Sequence, residues 1–269
     1  MTNSPTRLQR AKLTLRMLAI AFCRRLLSIS SRPYDDSGGT TVIVAPHEDD
    51  ETLACGGLIA RKRNEGLPVH IIFITDSSAS HPHHPLHNPE AITALRRSEA
   101  MKAMFALGVE REAVHFLDEP DGSLKTITPA RAESLITRLA NRLELLAPNE
   151  IFLPCQPDGS SEHDAVFSFV IAALARIKHH AVLWQYPVWC WWNPRLLLRL
   201  WWSGNDCRCL PVEDFIPAKN TAVDCYHSQI LPLAPDTRPA LPPELVSVFR
   251  SGVEYFFRCT TQPNPPPNC

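Results

Sequence analysis

The chain has 269 residues, 45% hydrophobic and 20% charged, with 27 Lys and Arg against 28 Asp and Glu. That composition supports a sizeable apolar core and excludes wholesale disorder. A net charge of −1 argues against a generic nucleic-acid binder, which should be clearly basic.

The charge is unevenly placed. Residues 1–33 hold seven basic side chains (Arg7, Arg10, Lys12, Arg16, Arg24, Arg25 and Arg32) and no acidic one, which leaves the remainder at −8. Within that stretch Met17-Leu18-Ala19-Ile20-Ala21-Phe22-Cys23 is apolar. It is far shorter than the ~20 residues a membrane span needs. Arg24-Arg25 follows it where a signal peptide would require small residues. Residues 1–35 are expected to form a basic helical segment. Two readings stand side by side: a helix packed on the domain, or peripheral membrane contact through residues 7–27.

Thr41-Val42-Ile43-Val44-Ala45 is a β-branched run that predicts a buried strand ending at Pro46. A helix is expected over 53–64, closed near Gly66, then a strand over 69–75. A polar stretch follows, with His81, His83, His84 and His87. It is expected to be an exposed loop with incidental imidazoles, although His-rich tracts can bind metal. Residues 90–107 have helical apolar spacing, 114–117 read as a strand, and 129–146 as a helix with Pro129 near its start. A strand over 151–154, a helix over 163–177 and a strand over 182–185 complete the alternation. Beyond residue 186 the signal weakens, and Trp189, Trp191, Trp192, Trp201 and Trp202 are expected to pack an irregular C-terminal lobe. The domain is placed at 36–257, followed by a Pro-rich, disordered tail over 258–269. Nine irregularly spaced cysteines without a CxxC pair point to free thiols in a reducing cytoplasm.

Strands alternating with helices imply right-handed βαβ units and a mostly parallel sheet between two helical layers. The expected fold is thus α/β, a Rossmann-like three-layer sandwich. In such sheets ligands sit outside the carboxyl ends of the strands.

The first strand runs directly into Pro46-His47-Glu48-Asp49-Asp50-Glu51. Four acids and an imidazole crowded into five positions would repel one another, and a divalent cation is the simplest compensator. A His and a carboxylate three positions apart across a strand-to-helix turn can meet at one ion. Helix-dipole stabilisation accounts for Asp50 and Glu51 but leaves His47 unexplained. After the fourth strand, Asp158-Gly159-Ser160-Ser161-Glu162-His163 offers a second imidazole at a helix start, facing the same crevice. A separation of the two rings beyond about 8 Å would exclude one shared ion.

These motifs resemble the PIG-L/LmbE family of zinc-dependent N-deacetylases. The family signature, similar to Ala-His-Pro-Asp-Asp-Glu before a Gly-Gly helix start, corresponds to Pro46 through Glu51 and Gly56-Gly57. Its second motif corresponds to Asp158 through His163, and its Arg-x-x-Glu to Arg96-Arg97-Ser98-Glu99. Asp121-Gly122 and Tyr226-His227-Ser228-Gln229 fit as well. The resemblance implies one zinc ion on His47, Asp50 and His163, Asp49 as general base toward the zinc-bound water, and substrate contacts at Arg96 and Asp158. It implies an acetylated saccharide, glycolipid or small glycoconjugate as substrate, and a cytoplasmic enzyme, at the inner membrane face if the basic segment touches lipid. Glu48 replaces the usual Pro, and Ser160 stands where many members carry a histidine for the oxyanion, a place His227 could fill. Two rivals remain: a catalytically silent sugar- or lipid-binding module on the same fold, and a metal phosphohydrolase using the extra carboxylates. A nucleotide-binding Rossmann protein fits least, because Gly56-Gly57 lacks the G-x-G-x-x-G spacing.

Overall fold

A computed structural model describes residues 6–82, 84–178, 180–203 and 206–259. The expected tail over 260–269, and His83, lie outside the described residues. Helix α1 (Arg7–Ser30) and the short β1 (Arg32–Pro33) precede the alternating part. That part runs β2 (Thr41–Ala45), α2 (Asp50–Asn64), β3 (Val69–Thr75), α3 (Pro89–Ala106), β4 (Val114–Glu119), α4 (Pro129–Leu146), β5 (Glu150–Pro154), α5 (Ser161–Leu174) and β6 (Val182–Tyr186). Then come α6 (Trp189–Trp192), α7 (Pro194–Trp202), β7 (Cys207–Pro211), α8 (Ile216–Asp224), α9 (His227–Ile230), α10 (Pro243–Phe249) and β8 (Val253–Arg258).

Local chemistry accounts for the helix starts. Asn88 accepts a hydrogen bond from Ala91 N–H and Thr128 one from Arg131 N–H, each followed by a proline at the first helical position. Gly108 ends α3 in the left-handed region at φ +76°. Side chains alternate across the sheet. Val42 and Val44 face a core with Leu135, Leu139, Val166 and Val170, whereas Ile43 and Ala45 face one with Leu58 and Ile59.

The sheet has eight strands in the order β1-β7-β8-β6-β5-β2-β3-β4. Strands β2 to β6 are mutually parallel, while β8 runs antiparallel to both β6 and β7. The segment past Tyr186, expected to be irregular, therefore adds two strands to the sheet, and Arg258, assigned to the tail, closes β8. The chain builds outward from β2 through β3 to β4, then returns to lay β5 on the other flank of β2. The crevice between the carboxyl ends of β2 and β5 is the topological switch point, where such sheets bind ligands.

Helix α2 is buried almost throughout. Glycine lets it come close: a Cβ at Gly57 would lie 2.6 Å from Val212 Cβ. Gly57→Ala should therefore destabilise the fold by about 1–3 kcal/mol through overpacking, read as a lower urea midpoint with an unchanged slope.

On β3 and β4, His70 and His115 stack at 5.6 Å with an interplanar angle of 12°. Burial, then the nearby Arg142, lowers both, His115 to about 4. A histidine depressed in the folded state takes up its proton more readily when unfolded. Its stabilisation is complete above the unfolded value near 6.5 and is lost as pH falls from there toward 4. In His115→Gln, the loss of stability between pH 6.5 and 4 should be shallower, measured by urea unfolding across that range.

Candidate metal centre

Beyond Ala45 the chain turns sharply before α2 begins. Thr75 anchors the turn by donating both its N–H and its hydroxyl to the Pro46 carbonyl, at 3.0 and 2.9 Å. Asp49 caps α2 with φ 147° and ψ −30°, a strained conformation for a residue with a Cβ. The turn aims His47, Asp49 and Asp50 into the crevice at the positive end of α2.

The four carboxyl groups of the acidic run part company. Glu51 accepts from Thr52 and Tyr226 hydroxyls at 2.6 and 2.5 Å and from Asp49 N–H at 3.0 Å. Burial raises it to about 7. Glu48, fully buried and raised by burial, accepts from the Ser77 hydroxyl and lies 3.9 Å from Arg96 Nε. The repulsion inferred from sequence is thus largely relieved by internal partners, leaving Asp49 and Asp50 facing the crevice.

Asp50 meets both imidazoles. Its Oδ2 lies 3.3 Å from His47 Nδ1 and 3.3 Å from His163 Nε2, and the two ring centroids are 5.8 Å apart. One ligand atom from each of the three residues falls within 4.8 Å of the others. The far nitrogen of each ring faces a further carboxylate: His47 Nε2 lies 3.1 Å from Asp121 Oδ1, and His163 Nδ1 2.8 Å from Asp158 Oδ2. Such carboxylates fix a metal-binding histidine's tautomer and ring orientation.

The electrostatics favour a cation. Burial works against protonating either ring, but the carboxylates outweigh it: Asp121 and Asp50 raise His47, and Asp50 and Asp158 raise His163 to about 9. Burial opposes ionisation of Asp50 too, yet His163 and His47 hold it below the usual carboxylate range. Both ring nitrogens of His163, Nε2 among them, are buried with no well-aligned hydrogen-bond partner among the described residues. Two nitrogens and one carboxylate oxygen, with such an atom turned inward, fit a zinc ion. The same three residues, as a proton-carrying cluster, would give up their protons to water as a metal takes their place.

Asp49, 6% exposed, is the carboxylate left over. Burial, reinforced by Asp50 and opposed by Arg96, raises it to about 7. Arg96, expected to contact substrate, is 1% exposed, with Nη2 at 3.2 Å from Asp49 and hydrogen-bonded to the Glu48 carbonyl. Asp158 is likewise fully buried and accepts from the N–H groups of Val188, Trp189 and Cys190 at 3.1, 3.0 and 3.0 Å. Both residues lie against members of the cluster, Arg96 against Asp49 and Asp158 against His163.

Asp121 was visible in the sequence only through the resemblance, although its place after β4 also puts it at a strand's carboxyl end. With His47 and Glu162 it makes a second convergent set of ligand atoms. Ser160 caps α5 without a side-chain hydrogen bond. His227 lines a cavity of about 500 Å³ with Glu99, Lys102 and Asp224, and no metal-centre residue lines it. In the histidine loop His81 and His84 are each 9% exposed, contrary to the expected open loop. Their rings lie close to one another, with centroids 6.2 Å apart between His81 and His84 and 4.8 Å between His84 and His87.

Residues 42–174 match the family model described as PIG-L: GlcNAc-PI de-N-acetylase. The chain carries a PIG-L (LmbE-like) family domain, in a mixed α/β fold with a mostly parallel sheet. No curated protein matches the sequence. Among solved structures, a conserved protein of Thermus thermophilus is 24% identical with a TM-score of 0.59, covering 84% of this chain and 94% of that one. The N,N'-diacetylchitobiose deacetylase of Pyrococcus horikoshii is 16% identical at 0.58, covering 84% and 81%. The 4-carboxy-2-hydroxymuconate hydratase GalB of Pseudomonas putida is 16% identical at 0.62, covering 86% and 99%. At these identities the likeness is one of fold, and the fold hosts both a deacetylase and a hydratase.

Proposed function

We propose that the chain is a zinc-dependent N-deacetylase that removes an acetyl group from an N-acetylated sugar or glycoconjugate. The observation that supports this most is the convergence of His47, Asp50 and His163 around a common point, with Asp49, a carboxylate outside that set and paired to Arg96, next in the chain to Asp50. The family description and the chitobiose deacetylase among the fold's neighbours supply the substrate class.

His47, Asp50 and His163 would hold the ion, oriented by Asp121 and Asp158. Zinc supplies a Lewis acid that polarises a carbonyl and acidifies water. Asp49 takes the proton of the attacking water and, once protonated, returns it to the departing amine. Burial raises its proton affinity toward neutral pH, which suits both duties. Arg96 does not reach substrate in this reading; it orients Asp49 and tempers that rise. Acetate and a free amine leave.

The test couples metal analysis to acetate release over a panel of N-acetyl sugars. One zinc per chain with acetate from at least one sugar is expected. Zinc without acetate from any sugar would favour a binding module, and two metals per chain with phosphate-ester cleavage would favour a phosphohydrolase. Either result would overturn the assignment.

A further inference from the structure

Helix α1 lies outside the family domain and has two faces. Ile20, Cys23 and Leu27 are buried where the helix packs on α6, α7 and β7. Arg16 stacks 4.2 Å over Trp192, and Arg24 donates to the Val248 carbonyl. The opposite face is apolar and bare: Leu8, Leu15, Leu18, Phe22 and Ile29 are between 59% and 68% exposed. At about 100° per residue, Leu8, Leu15, Phe22 and Ile29 succeed one another at seven-residue steps, and with Leu18 they form one stripe about 80° wide. Scattered exposed leucines need no explanation, but a continuous stripe of five does.

The charge around the stripe says what covers it. Arg7 and Arg25 fall along one border and Lys12 along the other, with Arg10 further round. All four are exposed, and none is in an ion pair among the described residues. No acidic residue occurs before residue 35. Two copies meeting through this face would press like charges together, whereas an anionic bilayer offers both acyl chains and negative headgroups. Trp202, 83% exposed, stands at the end of α7 beside Trp201, whose indole N–H donates to Ser30 at the end of α1. An indole at that place suits the headgroup boundary. No helix among the described residues is long and apolar enough to cross a membrane, so α1 would lie in the surface plane.

We infer that α1 is an interfacial helix that docks the protein on an anionic lipid surface through Leu8, Leu15, Leu18, Phe22 and Ile29. The test is co-sedimentation of the full chain with vesicles of pure phosphatidylcholine or of phosphatidylcholine with about a third phosphatidylserine. Binding to the anionic vesicles should exceed binding to neutral ones by about tenfold or more, and should weaken similarly at about 1 M salt. Leu15→Asp with Phe22→Asp should cut it at least about tenfold, because two apolar anchors become charges. Both positions are exposed, so circular dichroism and the thermal midpoint should not change. Equal or negligible binding to both vesicle types would overturn the inference. So would a wild-type dimer, seen by sedimentation velocity, that Phe22→Asp converts to monomer, since a second copy would then be the occupant.

Discussion

Asp49→Asn should lower acetate release by about 10²–10⁴-fold in kcat while the protein keeps its metal. Asparagine has the same shape, so the turn and its hydrogen bond from Asp49 N–H to Glu51 should survive. What disappears is the group that can take a proton. Asp49 is not one of the three convergent ligands, and its charge is committed only to Arg96 at 3.2 Å. The pH profile gives a second reading. A carboxylate raised to about 7 in the metal-free chain must be deprotonated to act, so activity should rise with pH through its pKa, which a neighbouring cation would bring lower. Asn has no such ionisation, and the acidic limb due to this group should flatten. Near-normal turnover in metal-replete Asp49→Asn would remove Asp49 from proton transfer.

The parallel core was readable because its strands are short β-branched runs between helices with clear starts. Residues 41–45, 69–75 and 182–185 fall within β2, β3 and β6, and 129–146 is α4. The motif positions followed from topology: once β2 and β5 are neighbours, residues just after each share one crevice. Strand β8 was not readable because Glu254 interrupts Val253-Glu254-Tyr255-Phe256-Phe257. In the fold that carboxylate is 4% exposed, accepting from Gly57 and Leu58 N–H and from Lys219. A charge inside a strand looks like a surface position until a partner 35 residues away is known to neutralise it. Strand β7 was hidden similarly, since Cys207-Arg208-Cys209 has no periodicity of its own and gains its place from pairing with β8.

The site shows the same division. Residue types and spacing point to His47, which the helix dipole leaves unexplained, and to His163 only once it is paired with that first motif. The roles of Arg96 and Asp158 depend on direction, which spacing does not carry. Each is a charged residue near a motif, and only the fold turns one onto Asp49 and the other onto His163.

Asp158→Asn should weaken zinc binding by about 10–100-fold, the usual cost of losing a carboxylate behind a metal-binding histidine. Asp158 is an acceptor on all sides: Oδ1 takes the N–H groups of Val188 and Cys190, and Oδ2 takes that of Trp189 and faces His163 Nδ1 at 2.8 Å. With a metal held at Nε2, His163 would keep its one proton on Nδ1, against Asp158. Asparagine can satisfy Val188 and Cys190 with its oxygen, but its amide NH₂ then replaces Oδ2. Donating to Nδ1, that group would drive the proton to Nε2, the atom meant for the metal. The same NH₂ opposes Trp189 N–H, leaving a buried donor unsatisfied at a cost of about 1–3 kcal/mol. The variant should therefore lose metal affinity and some stability together, by competition with a chelator and by urea unfolding of the metal-free chain. Arg96→Lys offers a contrast: it disturbs Asp49 but touches neither imidazole, so its metal affinity should stay near wild type while turnover falls. If Asp158→Asn bound zinc as tightly as the wild type, the tautomer of His163 would be set by something other than Asp158.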